Sequence, residues 1–263
     1  MTKTSQADII KAAEMLRHSH DNHVPCGALH DFIDADDIEA GYAIQEINTA
    51  HWLKQGRRLV GRKTGLTAKS VQAQLGVGQP DFGMLYADMS YADGEDVSLS
   101  KLMQPKIEGE IAFVLKKDLD QEQMTISDVM RAVDYAVAAI EIVDSRIEGW
   151  NIKIMDTIAD NASSGLYVLG SEPRSLSEIN LRHCGMVIEH MGEPVSTGAG
   201  AACLGNPLNA TLWLAKTMVE VGRPLKAGDT ILSGALGPMV SVTGPGVYEL
   251  RISGLGSVRA SFI

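Results

Sequence analysis

Residues Gln104 to Leu115, QPKIEGEIAFVL, set two carboxylates one strand period apart inside a run that otherwise reads as buried sheet. Successive strand residues face opposite sides, so Glu108 and Glu110 share one face, their Cα atoms roughly 6.5 Å apart, while Ile107 and Ile111 share the other. A second apolar run, Ala136 to Val143, carries the lone Glu141 with no basic residue until Arg146. Buried carboxylates repel one another and gain protons unless something positive holds them. Two arrangements satisfy this pattern. Glu108 and Glu110 can line the solvent face of an edge strand, with Glu141 paired to Arg146 or a distant lysine. Alternatively, the three form an all-oxygen site for a hard cation such as Mg²⁺ or Mn²⁺.

A chain of 263 residues can bury a large core and fits one large domain, or a small one beside a larger one. The formal net charge of −10 argues against nucleic acid or an anionic membrane as a partner, since either needs a basic surface to displace counterions. An anionic substrate then needs a local positive centre. Cys26, Cys184 and Cys203 match neither a disulfide framework nor a zinc motif and are expected to be reduced, buried thiols. The first residues lack the apolar segment of a signal peptide, and no window holds about 18 uninterrupted apolar residues, so a cytoplasmic protein is expected. His18, His20 and His23 fall in a polar stretch placed after a helix, without metal-ligand spacing.

Ser5 followed by Asp8 resembles a capping box, with Ile9, Ala12, Ala13 and Leu16 at helical spacing behind it. A second helix is expected after Asp34 to Asp37, running through Ala40, Ala43, Ile44 and Ile47 and stopping at Gly56. Residues 1–57 therefore read as a helical N-terminal region. From residue 58 to 263 the texture changes to short β-branched runs between Gly-rich turns: Arg58–Gly61, Ile107–Leu115, Leu166–Leu169, Met186–Ile188, Thr230–Leu232 and Val247–Ile252. Helices are expected near Thr125–Tyr135 and Pro207–Val221, and Gly192-Glu193-Pro194 reads as a hairpin turn. Runs of strands with few helices between them argue for an α+β class.

Lys63 lies between glycines in Gly61-Arg62-Lys63-Thr64-Gly65, where the backbone can approach a ligand closely. Such a lysine can bind a carboxylate as a point charge, act as acid or base, or simply be a solvated strand end. Asp81 in Gln79-Pro80-Asp81-Phe82-Gly83 reads as a turn carboxylate, either an Asx-turn residue or a rigidly held group. The stretch Asp156 to Gly165, which contains Ser163, reads as a cap and turn cluster or as a loop packed against a metal centre. The glycines of Gly234-Ala235-Leu236-Gly237 permit close substrate approach. A nucleophile elbow, a P-loop and a dinucleotide fingerprint are all absent from the sequence.

Five of these segments, GRKTGLT at 61–67, QPDFG at 79–83, QPKIEGE at 104–110, EIVDSR at 141–146 and DNAS at 160–163, together resemble the hydratase/decarboxylase branch of the fumarylacetoacetate hydrolase superfamily. The resemblance covers nearly the whole chain. It implies a mixed β-sandwich roll for residues 58–263 and a divalent metal, Mg²⁺ or Mn²⁺, held by Glu108, Glu110 and Glu141. It further implies Lys63 and Asp81 as acid/base groups, and Leu66, Ser163, Gly234 and Leu236 around a small 2-hydroxydienoate substrate. The implied activity is hydration of 2-hydroxypenta-2,4-dienoate in meta-cleavage degradation of aromatic compounds. Decarboxylation of 4-oxalocrotonate is the alternative, and a non-catalytic scaffold role a remote one. Homo-oligomers, and a complex with a homologous decarboxylase, are implied partners. The superfamily's hydrolases carry a Glu-His pair on a mobile segment; Thr64 to Phe82 contains neither residue, which points away from hydrolysis.

Overall fold

Ser5 begins the first helix as the capping pattern predicts, its Oγ accepting the Asp8 N–H at 3.2 Å and donating to the Asp8 carboxylate at 2.6 Å. Helix α1 (Gln6–Asn22) ends at His23 in the left-handed conformation. It therefore takes in His18 and His20, which the polar composition had placed beyond a helix. Helix α2 (Ile38–Lys54) starts at Asp37, whose carboxylate accepts the Ala40 N–H at 3.0 Å. Ile9, Ala12, Ala13 and Leu16 bury against Ala40 and Ile44, and the cluster is completed by Ile147, Met155 and Ala159 from the later chain.

The computed structural model describes residues 2–69, 72–73 and 77–263. Thirteen strands are present among them: β1 (Leu59–Gly65), β2 (Asp81–Tyr86), β3 (Ser90–Ala92), β4 (Asp96–Val97), β5 (Pro105–Leu115), β6 (Val133–Asp144), β7 (Ser164–Leu169), β8 (Gly185–His190), β9 (Glu193–Ala199), β10 (Thr230–Leu232), β11 (Val240–Ser241), β12 (Gly246–Ile252) and β13 (Gly256–Phe262). They form a mixed sheet in the order β2-β1-β10-β5-β6-β7-β3, with β11 also on β5, and a second sheet in the order β4-β13-β12-β8-β9. Helices α3 (Ile126–Ala132), α4 (Ile154–Ala159) and α5 (Pro207–Glu220) also belong to this α+β architecture.

Strand β5 shows why the sheets stack. Ile107 and Ile111, fully buried, share a face with Gly109, where a Cβ would fall 2.8 Å from Leu250 on β12. That face packs into the inter-sheet core, and full burial of each isoleucine contributes about 1.5–3 kcal/mol. Glu108 and Glu110 are left to the opposite face.

Three expectations need correction. The helix near residue 125 stops at Ala132, because Val133 to Tyr135 already belong to the edge of the apolar strand β6. The hairpin turn is Met191-Gly192, both with positive φ (53° and 83°), the pair that a two-residue primed turn needs; Glu193 and Pro194 are in β9. Asp81 opens a strand, not a turn. Among the described residues, no helix is long and apolar enough to cross a membrane.

Candidate active site

Strand register brings the three glutamates together. β5 and β6 pair antiparallel with Glu108 opposite Glu141 and Glu110 opposite Ala139. Directly paired residues project to the same face, so one oxygen from each glutamate lies within 4.8 Å of the others. Glu110 and Glu141 are buried, while Glu108 is partly open to the adjoining cavity. Glu110 Oε2 accepts the Gly234 N–H at 2.8 Å. Among the described residues, Glu110 Oε1 and both Glu141 oxygens have no aligned hydrogen-bond donor.

Lys63 arrives from two strands away. β1 runs parallel to β10, which pairs with β5, so Leu232 lies between Lys63 and Ala112. The Lys63 ammonium sits 3.1 Å from Glu141 Oε1. Arg146 therefore does not serve Glu141; it pairs with Asp160. Asp81 lies opposite Gly65 on the β1–β2 pair. A Cβ at Gly65 would fall 2.1 Å from Asp81 Oδ1 and 3.5 Å from Lys63 Nζ, so the missing side chain is the space both groups use.

This crowding shifts ionisation strongly. Burial, reinforced by the charge of Glu141, pushes Glu108 up to about 7. Burial, then Glu141 and Glu108, hold Glu110 well above the usual carboxylate range. Burial raises Asp81 to about 6 against the pull of Lys63. Burial works to lower Lys63, but Glu141, Asp81, Glu108 and Glu110 together outweigh it and keep the ammonium charged. Four carboxylates facing one ammonium remain ionised only if further positive charge is present. Clustered hard oxygen donors, three of them without an aligned hydrogen bond among the described residues, fit a divalent cation.

A cavity of about 510 Å³ opens beside these groups, lined in part by Lys63, Leu66, Asp81, Glu108 and Ser163. Val143, Trp150, Ile152, Met239 and Lys106 line it as well. Lys106 had a readable signal, standing one strand period before Glu108. Ser163 reaches the cavity through a left-handed turn in which Asn161, Ala162 and Ser163 have φ of 55°, 53° and 52°. Asn161 braces that turn on β2, accepting the Met84 N–H at 2.7 Å and donating to Met84 O at 3.0 Å. Arg146 clasps its other side, bonding Asp144 O, Ser164 O and the Asp160 carboxylate. The Ser163 hydroxyl is buried and has no hydrogen-bond partner among the described residues. Gly234 and Leu236 stand behind the glutamates, outside the lining: Gly234 contributes its N–H to Glu110, and buried Leu236 donates its N–H to Gly109 O at 2.9 Å.

Residues 49–263 match the family model described as the fumarylacetoacetate (FAA) hydrolase C-terminal domain. The chain is 58% identical to the TodF product hydratase of Pseudomonas putida F1, covering 96% of this chain and 94% of that one. It is 54% identical to 2-keto-4-pentenoate hydratase 1 of Dechloromonas aromatica strain RCB over the whole of both chains. Among solved structures, 4-oxalocrotonate decarboxylase from Pseudomonas putida G7, complexed with magnesium and adipate, superposes over the full length of both chains with a TM-score of 0.93 at 34% identity. The chain belongs to the fumarylacetoacetate hydrolase family, within its 2-keto-4-pentenoate hydratase group.

Proposed function

We infer that this chain is a hydro-lyase that adds water to 2-hydroxypenta-2,4-dienoate, giving 4-hydroxy-2-oxopentanoate, in the meta-cleavage breakdown of aromatic compounds. The observation that carries the reading is the glutamate triad with unsatisfied oxygens, set beside Lys63 and Asp81 at one cavity. The site takes a divalent metal; Mg²⁺ or Mn²⁺ is proposed, held by Glu108, Glu110 and Glu141. When bound, it supplies Lewis-acid stabilisation of negative charge developing on the substrate's C2 oxygen.

Hydration here is proton movement around an enol. The 2-hydroxyl proton leaves, C5 is protonated to give the conjugated 2-oxo-3-enoate, and water then adds its oxygen to C4 and a proton to C3. Asp81, which burial raises to about 6 in the metal-free protein and which lies beside Lys63 on the cavity, is the proposed proton carrier. Lys63, kept charged, is the proposed donor toward substrate oxygen. The unpartnered Ser163 hydroxyl and the Leu66 side chain are proposed to position the substrate. Gly234 and Leu236 support that surface from behind, with Gly234 orienting Glu110. The protein is proposed to work in the cytoplasm as a homo-oligomer, with a homologous decarboxylase as a candidate partner.

Decarboxylation of 4-oxalocrotonate is the second reading, favoured by the fold match to a decarboxylase and by Lys106 and Lys153 on the cavity, cations suited to a second carboxylate. Identity of 54–58% to hydratases against 34% to that decarboxylase favours hydration. Purified protein with Mg²⁺ should convert freshly generated 2-hydroxypentadienoate to the 4-hydroxy-2-oxo acid and release little CO₂ from 2-oxo-3-hexenedioate. Rapid CO₂ release without hydration would overturn the assignment.

A further inference from the structure

We propose that Lys106 recognises the substrate's C1 carboxylate and that Trp150 positions it, an assignment that rests on the hydratase reading above. Lys106 precedes Glu108 by one strand period on β5, so its side chain leaves the sheet on the face that carries the glutamates. It lines the cavity, and its ammonium lies 4.1 Å from the centre of the Trp150 ring. Among the described residues it has no carboxylate at ion-pair distance. A cation held against an aromatic face, and not in an ion pair, leaves its N–H donors open to a ligand.

Trp150 is held there against its backbone preference. Gly149 and Trp150 have φ of 64° and 56°, and a bulky side chain in the left-handed region is a strained outlier of the kind that gathers at binding sites. Gln104, one strand period before Lys106, locks the pair. Its carbonyl accepts the Trp150 indole N–H at 3.0 Å and its Oε1 accepts the Gly149 N–H at 2.7 Å. Its Nε2 donates to Ser145 O at 2.9 Å and Ile147 O at 2.8 Å. The short segment 104–110, the first part of β5 with the residue just before it, therefore supplies two of the three clustered glutamates, the ammonium and the clamp that places an aromatic platform under it.

Charge gives this ammonium its use. Set against Lys63, a divalent cation and Lys153, which also lines the cavity, the four site carboxylates, Asp36 and an incoming substrate carboxylate would still leave the filled cavity negative. Lys106 adds a positive charge on the cavity side, within electrostatic reach of Glu108. A substrate with one carboxylate offers it one anionic group, at C1.

Pyruvate, a non-reacting 2-oxo monocarboxylate, and 2-oxoadipate, its longer dicarboxylate counterpart, serve as probes in calorimetric titrations of the Mg²⁺-loaded protein. Lys106→Met should weaken pyruvate binding by about 10- to 100-fold, the loss expected for one charge-assisted hydrogen bond. Mg²⁺ affinity measured without pyruvate should hold, and KM should rise more than kcat falls. Lys106→Arg should recover part of the loss, and Trp150→Leu should weaken pyruvate binding while Trp150→Phe retains most of it. Unchanged pyruvate affinity in Lys106→Met would overturn the proposal. So would a loss confined to 2-oxoadipate, which would place Lys106 at a distal carboxylate. Failure of the wild-type protein to bind Mg²⁺ would instead remove the metal reading beneath it.

Discussion

At Lys63, burial and charge pull in opposite directions: desolvation favours the neutral amine, while Glu141, Asp81, Glu108 and Glu110 favour the ammonium and prevail. Lys63→Met in the Mg²⁺-loaded protein should lower the rate constant of the chemical step by about 10²–10⁴-fold. Mg²⁺ affinity should stay level or tighten, because a competing cation is removed. Single-turnover kinetics alongside calorimetry check both, and an unchanged rate constant would take Lys63 out of the mechanism. Several site residues were legible as chemical anomalies. Glu108, Glu110 and Glu141 interrupt apolar runs, and Lys63 sits among glycines. The cross-strand register that sets Glu108 opposite Glu141 was not, because it depends on a pairing between segments about thirty residues apart in sequence. Nor was the fate of Arg146, near Glu141 in sequence but spent on Asp160.

The left-handed turn at Asn161–Ser163 is the element most strained and least visible in the sequence. Three successive non-glycine residues at positive φ run against ordinary backbone preference, and Asn161 and Arg146 hold them there through bonds to β2, to the end of β6 and to the start of β7. Ala162→Val, a β-branched residue at φ 53° in a buried position, should destabilise the fold by about 1–3 kcal/mol in urea unfolding. No change in midpoint would mean that the turn relaxes freely and does not fix Ser163. Elements with strong local signals appeared where expected: the capped helices α1 and α2 and the apolar core of β5. Strand β2 was hidden because Pro80 and Gly83 mimic a turn, yet Gly83 is there to let the Asn161 carbonyl approach; a Cβ would come within 2.3 Å of it. Short strands such as β3, β4 and β11 owe their existence to neighbours in the sheets rather than to their own composition.

Across the whole molecule, the helical N-terminal region braces the wall of the cavity. Buried Asp156 on α4 accepts the backbone N–H groups of Leu29 and His30 and contacts His30 Nδ1 at 2.6 Å, while Gln45 on α2 donates to Phe82 O on β2 and Ile158 O on α4. The change of texture at residue 57 therefore marks where strands begin, with a hydrophobic cluster shared across it. The metal acts on stability at this same scale. Folding raises Glu108 to about 7 and Asp81 to about 6, above their unfolded values, so the metal-free folded state binds more protons than the unfolded chain between those limits. These groups therefore cost stability as pH rises through that window, and a divalent cation, which binds the ionised forms, offsets the cost. The rise in Tm produced by a fixed Mg²⁺ concentration should be larger at pH 8 than at pH 6, with protons released on binding at the lower pH. An equal rise at both would contradict a metal held by these carboxylates. The most direct test of metal-assisted hydration at the triad compares chelator-stripped wild type with Glu108→Gln, assaying 4-hydroxy-2-oxopentanoate from 2-hydroxypentadienoate while Mg²⁺ is titrated back. Wild type should regain turnover with added Mg²⁺, and Glu108→Gln should stay inactive with an unchanged circular dichroism spectrum. Full activity in Glu108→Gln, or in stripped wild type without metal, would contradict the account.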